Sequence, residues 1–462
     1  MMRTALLTDF RASLRGEALT PGDPEYDRAR RVYNAMIDRR PAVIVRCAGA
    51  ADVVASIAFA RANGLRVAAR GGGHNVSGKA VPEGGVMIDL SPMKACRVDV
   101  GRRLARAEAG LTLAEFDHSC QAFGLATTTG IVSTTGIAGL PLGGGIGWLN
   151  GRYGLACDNV VSVEIVTADG QTRTASADED PDLFWAVRGG GGNVGIVTSF
   201  EYRLHPVGLV LGGGIAFPLA QGARVLRFYE QFARECPDEL SVNAGVGALP
   251  DGSPFLGVAV AWCGPLDAGE RALKPLRTFL TPLADMIAPM SYVDLQRGGD
   301  EGFPRGRRHY WKAGFLRRLD AAAIDVLLDF AARRPSPHTQ IGLQQMHGAA
   351  ARVAPGVTAF PHRRDQWDCL ILSQWDRPED DAANIAWTRA FYTAMTPHLE
   401  RDVYVNDLGD DEADRVPAAY GSNLGRLAAI KTKYDPENVF HANQNVAPAS
   451  KREAAGGLPL PT

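Results

Sequence analysis

The residues of this chain best suited to chemistry lie in three glycine-rich stretches. The first, Ala69-Arg70-Gly71-Gly72-Gly73-His74-Asn75-Val76-Ser77-Gly78, follows the alternating run Leu65-Arg66-Val67-Ala68, so glycines, a histidine and a basic residue fall where a strand gives way to a loop. Glycine has no Cβ, and the backbone N–H groups of such a loop can approach a phosphate closely, with Arg70 alongside as a cation. A bound pyrophosphate suits the stretch. A glycine-rich surface turn is the other reading these residues allow.

The second stretch runs Thr127-Thr128-Thr129-Gly130-Ile131-Val132-Ser133-Thr134-Thr135-Gly136-Ile137-Ala138-Gly139-Leu140-Pro141-Leu142-Gly143-Gly144-Gly145. Small hydroxylated residues between glycines offer backbone and side-chain donors together, which suits the phosphates and ring edges of a nucleotide cofactor; packed glycine turns would read the same way. The third contains Leu183-Phe184-Trp185-Ala186-Val187-Arg188-Gly189-Gly190-Gly191-Gly192-Asn193-Val194-Gly195. Residues 190–195 satisfy the Gly-x-Gly-x-x-Gly spacing, but a helix-like stretch precedes the glycines and a strand follows. A dinucleotide fold has the opposite order, so a Rossmann site is not expected. No glycine loop ends in Gly-Lys-Ser/Thr, no Gly-x-Ser-x-Gly elbow occurs, and the nine histidines form no His-Glu-x-x-His or other close pair. Neither a hydrolase nucleophile nor a metal site is expected.

These loops must be held by a large scaffold. A chain of 462 residues exceeds one ordinary core, so two domains are expected. The net charge of −2 gives no reason to expect nucleic acid or an anionic membrane as partner. The seven scattered cysteines lack Cys-x-x-Cys pairs and read as reduced thiols. The N-terminus meets charge too early for a secretory signal, and no later apolar run is long enough to span a bilayer. A soluble, cytoplasmic protein is expected.

Periodicity predicts a polar helix over 25–37, a buried strand over 42–46, a helix over 51–63, short strands over 85–90, 96–100 and 104–109, and a helix over 112–123. Beyond about residue 206 the glycine clusters largely stop. Strands over 240–246, 254–262 and 340–346 alternate with amphipathic helices over 223–234, 267–279, 321–333 and 379–395. A helix over 420–433 leads into Tyr434-Asp435-Pro436-Glu437-Asn438-Val439-Phe440-His441-Ala442-Asn443-Gln444-Asn445. The fold class is α+β, with an antiparallel sheet backed by helices in the second half.

The three glycine stretches, in this order and with this ending, resemble the berberine-bridge-enzyme-like FAD-linked oxidases of bacterial type, within the vanillyl-alcohol-oxidase superfamily. The similarity runs from about residue 42 to Asn445. It implies a two-part PCMH-type FAD-binding domain over 1–206 and 400–450 (core about 38–207), a substrate-binding domain over 207–399 and a C-terminal tail over 451–462. In this family the histidine of the Arg-x-Gly-Gly-His loop bonds to the 8α carbon of the flavin ring, which here is His74. Arg70, Gly71, Gly72, Gly73, Asn75, Ser133, Thr134, Thr135, Gly136, Gly139, Gly143, Gly144, Val197, Asn443 and Asn445 correspond to cofactor-binding positions. Bicovalent relatives carry a cysteine where this chain has Val132 in Gly130-Ile131-Val132, so a single link through His74 is expected. Cys157 belongs to a different motif and is expected to be a packing thiol.

The resemblance also implies the reaction: hydride transfer to FAD from an alcohol or phenol-like group of a small metabolite, sugar or secondary-metabolite intermediate, with molecular oxygen as acceptor. Plant-type members place a carboxylate base before a Phe-Pro-His-Arg stretch. That stretch is Phe360-Pro361-His362-Arg363 here, and Arg352 falls near the carboxylate position. Bacterial alcohol- and sugar-oxidising relatives use the tyrosine of a Tyr-x-Asn motif, here Tyr404-Val405-Asn406, which makes Tyr404 the catalytic candidate. A free phenol has a pKa of about 10, so a tyrosine base needs a lowered pKa or a nearby acceptor. Gln344, His347, Arg352 and Trp375 are the candidate substrate contacts. Oxygen transfer, multi-step oxidation and a flavin-binding electron-transfer module are the alternatives, with Thr134 and Thr135 near the expected meeting point of oxygen and ring.

Overall fold

The first glycine loop leaves a four-stranded sheet in which Val43–Arg46 and Val67–Arg70 pair in parallel with Val86–Asp89, and Glu17–Leu19 adds an antiparallel edge. The computed structural model describes residues 4–449, so the tail expected over 451–462 lies outside the described residues. The helix Ala50–Ala62 makes the crossover between the first two parallel strands. Val86–Asp89 is buried along its whole length, which is why its sequence does not alternate.

A five-stranded antiparallel sheet follows, in the order Cys96–Asp99, Leu104–Glu108, Ile196–Arg203, Val160–Val166, Thr172–Ser176. Phe200 lies opposite both Ala107 and Val163 at its centre. The helix Leu113–Gln121 begins with a reciprocal cap: Thr112 N–H donates to Glu115 Oε2 at 2.7 Å, and Glu115 N–H donates to Thr112 Oγ1 at 3.4 Å. Such a cap is worth about 1 kcal/mol.

The central part of the chain forms an eight-stranded antiparallel sheet. Helices Gly222–Glu235, Leu266–Thr278, Ala321–Ala332 and Asp381–Met395 cover one face, as the amphipathic periodicity requires. All ten residues of its strand Gln366–Trp375 are buried. Trp367, Cys369 and Ile371 pack into the helix-backed core, whereas Leu370 and Leu372 turn to the opposite side and line a cavity.

The end of the chain returns to the first half. Val403, Tyr404, Tyr420, Leu427, Tyr434 and Phe440 share one apolar core with the sheets of residues 43–203. A fully buried ion pair fixes this return: Lys431 Nζ lies 2.5 Å from Asp435 and also donates to the carbonyls of Asn193 and Phe440. Asp435 in turn accepts from the N–H groups of Val439 and Phe440, so the third glycine loop and the closing segment are tied through one ammonium.

The structure corrects the helix expected over 25–37. Only Tyr26–Ala29 is helical. Beyond it, Tyr33 N–H donates to Gly73 O, and Asn34 Nδ2 donates to the carbonyls of Val76 and His309. These tertiary partners outcompete the intrahelical ones and lay the segment against the first glycine loop. Strands Val210–Pro218, Arg308–Leu316 and Gln366–Trp375 have no counterpart in the sequence reading.

Candidate functional site

The three glycine stretches, the closing segment and the inner face of the large sheet enclose a cavity of about 380 Å³. Its tightest feature is the contact between the first two stretches. A Cβ added at Gly72 would stand 2.4 Å from Gly136 N, and one added at Gly136 would stand 2.4 Å from Gly72 N. Gly73 has φ +63°, a left-handed conformation that glycine adopts without strain. Gly71, Gly72, Gly73 and His74 therefore reach the cavity edge as nearly bare backbone.

His74 stacks on Tyr33 with ring centroids 4.1 Å apart, and Tyr33 stacks in turn on His309 at 4.4 Å. Nε2 of His74 is buried with no hydrogen-bond partner. Burial, helped by the Arg305 guanidinium, pushes the imidazole pKa down to about 3, so the ring is neutral at physiological pH. Arg305 is itself fixed by donating to Gly72 O at 2.6 Å. Val132 lines the cavity, but Cys157 does not; it is fully buried, and burial pushes its thiol up to about 12.

Tyr404 also lines the cavity. Its phenol oxygen accepts from Gly145 N–H at 2.7 Å and from Asn406 Nδ2 at 2.6 Å, while burial drives its pKa well above the ordinary value. From the closing segment, Asn443 donates to the carbonyls of Gly192 and Phe440. Its Oδ1 is buried and unpartnered. Ile131, Phe303, Trp311, Leu370 and Leu372 form apolar walls, and Gln344 stands among them with Nε2 donating to Ile146 O at 2.9 Å.

Of the other residues singled out from the sequence, Asn75, Thr135, Gly136, Gly139 and Val197 line the same cavity. Others do not reach it. Arg70 is committed to a buried, two-pronged pair with Asp89 and to the Ala29 carbonyl, so its charge holds the strand end rather than facing the cavity. Ser133 is turned toward Asp300, to which its N–H and Oγ donate at 2.9 and 2.6 Å. Thr134 and Asn445 lie outside the lining, each with a buried, unpartnered side-chain oxygen. Gly143 and Gly144 are packing positions, where an added Cβ would meet Asn406 Oδ1 at 2.1 Å and the Phe360 ring at 2.9 Å.

Three of the four substrate candidates are also elsewhere. His347 and Arg352 line a separate cleft of about 290 Å³, where Arg352 pairs with Asp238 at 2.5 Å. Trp375 is buried, its indole N–H bonded to Asp381 at 2.7 Å. Conversely, Tyr33, Phe303, Arg305, Trp311 and Asp407 were not singled out from the sequence. Asp407 directly follows Tyr404-Val405-Asn406 and could have been found from that neighbourhood; the aromatic residues carry no local signal.

A flavin nucleotide fits these residues. The glycine contact leaves backbone donors bare, and buried polar atoms without partners (His74 Nε2, Asn443 Oδ1, Gln444 Oε1) cluster around the same space.

Comparison with known proteins agrees with that fit. Residues 41–176 match the FAD binding domain family, and residues 403–447 match the family described as berberine and berberine like. An uncharacterised FAD-linked oxidoreductase of Bacillus subtilis (strain 168), YgaK, is 32% identical over 454 residues, spanning 95% of this chain and 98% of its own. The (R)-6-hydroxynicotine oxidase of Paenarthrobacter nicotinovorans is also 32% identical, over 94% of this chain and 97% of its own. Among solved structures, 6-hydroxy-D-nicotine oxidase from Arthrobacter nicotinovorans superposes with a TM-score of 0.87 at 29% identity, covering 97% of this chain and all of that one. The Physcomitrella patens BBE-like 1 protein has the same fold at 23% identity, with a TM-score of 0.88.

Proposed function

Because this chain belongs to the berberine-bridge-enzyme-like family of FAD-linked oxidoreductases, we propose that it oxidises an alcohol or phenol-like group of a small molecule, with FAD held covalently by His74 and molecular oxygen as acceptor. The observation that carries the covalent assignment is His74 itself, a neutral imidazole with an unpartnered Nε2 at the edge of the cavity. Only a deprotonated ring nitrogen has the lone pair such a bond requires. Val132 offers no second nucleophile, so the link is single.

When bound, FAD supplies the two-electron acceptor. The protein supplies the remainder. Gly72 and Gly136 present backbone toward the phosphates, and Asn443 and Gln444 offer unpartnered oxygens. Both lone pairs of the Tyr404 oxygen are occupied by Gly145 and Asn406, which leaves its own proton free to donate. Tyr404 therefore works as a neutral phenol that orients a substrate oxygen. The apolar walls of Ile131, Phe303, Trp311, Leu370 and Leu372 favour a flat or aromatic carbon skeleton with one polar handle, which Gln344 can meet, over a sugar. A hydroxylated pyridine of the kind named for the Paenarthrobacter relative is of that class.

The proposal includes the two-part FAD domain and inserted substrate domain inferred from the sequence, and a cytoplasmic location. Among the described residues no helix is long and apolar enough to cross a membrane. Anaerobic titration with benzylic alcohols and hydroxymethylpyridines tests the activity. The flavin band is expected to bleach, then recover on admission of air with one peroxide per turnover. Bleaching without recovery in air would refute the oxidase reading in favour of an electron-transfer module.

A further inference from the structure

Asp407 lies in the cavity wall and is 8% exposed. Its Oδ2 is buried with no hydrogen-bond partner among the described residues. Next to it is Asp368, on the strand Gln366–Trp375, fully buried with neither oxygen partnered by any donor. Asp368 alternates with the core-facing Trp367 and Cys369 and so shares the strand face of Leu370 and Leu372, which line the same cavity as Asp407, and the two carboxyls act on each other there. Two such groups can be satisfied only if one is protonated and donates to the other.

The surrounding charges do not neutralise this pair. Glu412 is matched by Arg415 at 2.6 Å and Lys312 at 3.2 Å, and Asp411 by Lys312 at 2.9 Å and Arg389 at 3.3 Å. His362, from the loop before the strand, is engaged by the Ala419 carbonyl and Asp402. Tyr404 and Arg415 are the remaining ionisable neighbours, and no cation stands within ion-pair distance of Asp368 or Asp407 among the described residues. Burial raises Asp368 to about 6, and burial with the Asp368 charge raises Asp407 further. The pair therefore keeps a proton well above the ordinary carboxyl range, held chiefly by Asp407, and takes up a second on acidification.

We propose that the Asp407–Asp368 pair is the proton acceptor of substrate oxidation, with Asp407 meeting the substrate in the cavity and Asp368 sharing the proton behind it. This rests on the oxidoreductase reading above. The substrate O–H breaks and its proton goes to the singly ionised pair. The adjacent C–H breaks with its electron pair leaving as hydride to FAD, and a C=O forms; oxygen then takes the two electrons and two protons as hydrogen peroxide. The pair answers a need that Tyr404 cannot meet, since the phenol oxygen has no free lone pair.

Two measurements on the FAD-loaded protein test the assignment. In substrate-free infrared difference spectra between pH 5 and pH 8, taken in an Asp117→Asn background to remove the other buried carboxyl that titrates there, a carboxylic C=O band is expected to grow at low pH, and Asp407→Asn and Asp368→Asn are each expected to shift its frequency and its midpoint. In anaerobic stopped-flow reduction with 4-hydroxybenzyl alcohol, Asp407→Asn is expected to slow flavin reduction about 100-fold or more and to remove the acid limb near pH 6. Asp368→Asn takes away the charged partner that raises Asp407, so flavin reduction is expected to slow and its acid limb to shift. Should Asp407→Asn fail to fold, the presence or absence of a shift in the Asp368→Asn limb decides alone. An unchanged infrared spectrum or unchanged pH profiles in both variants would overturn the proposal. A preparation that binds no flavin would overturn the functional reading instead, and the infrared spectra would still decide whether the two carboxyls share a proton.

Discussion

Replacing Gly72 by alanine asks the structure for room it does not have. The new Cβ would lie 2.4 Å from Gly136 N and 2.6 Å from Gly136 Cα, about 1 Å inside ordinary contact. The atoms in the way are backbone, held by Leu113 N–H on Thr135 O and by Ile137 N–H on Leu111 O at 2.8 and 2.9 Å, so neither loop can yield as a side chain would. Overpacking of this kind costs about 1–3 kcal/mol. Because the strain is concentrated where the two loops meet at the cavity proposed to hold FAD, FAD affinity is expected to fall about 10- to 100-fold, in line with 1.4 kcal/mol per factor of ten. FAD titration in a His74→Ala background, where no covalent bond can form, and thermal melting measure the two effects together. Gly425→Ala is the control: it sits in the helix Leu424–Tyr434, an added Cβ meets nothing within 4 Å, and about 0.5–1 kcal/mol of stabilisation is expected. If Gly72→Ala melted and bound FAD like the unsubstituted protein, the backbone contact would not be what shapes the loop.

Three further outcomes follow from the same geometry. Tyr404→Phe removes one acceptor from the Gly145 N–H and Asn406 while keeping the ring; flavin loading is expected to persist and the rate of anaerobic reduction to fall about 10²-fold, measured by stopped flow. Lys431→Met leaves Asp435 buried without its cation and is expected to cost about 3–5 kcal/mol in denaturant unfolding, releasing the closing segment first. Asp117, fully buried beside Gln296, has its pKa raised by burial from 3.8 to about 7, so its folded form holds the proton more tightly than the unfolded one. Stability from this group is full below about pH 4 and is lost as pH rises to about 7, and Asp117→Asn is expected to flatten that decline in melts between pH 4 and 8.

Much of the glycine-loop side of the cavity was legible because its chemistry is local. Strings of glycine and hydroxyl residues announce bare backbone, and the reversed order around Gly190–Gly195, a helix Pro181–Ala186 before and a strand Ile196–Arg203 after, is as the sequence indicates. The side of the cavity formed by the large sheet was not legible in the same way. On Gln366–Trp375 both faces are buried, so alternation cannot tell Leu372, which lines the cavity, from Trp375, which packs against a helix. Register defeated the reading of Gln340–Met346 as well. Gln344 turns inward, but His347 lies just past the strand end, where the chain bends toward another cleft. Arg70 shows a different limit: a cation beside a glycine loop suggests an anion, yet its partner is Asp89 on the neighbouring strand, a pairing visible only once the parallel register is known.

One covalent bond between His74 and FAD is the feature on which the proposed function turns. Mass spectrometry of the denatured protein, followed by peptide mapping, measures it directly. One FAD increment on the intact chain, carried by the peptide containing His74 and absent in His74→Ala, is the expected result. A chain at its unmodified mass, or a flavin carried by a cysteine peptide, would contradict it.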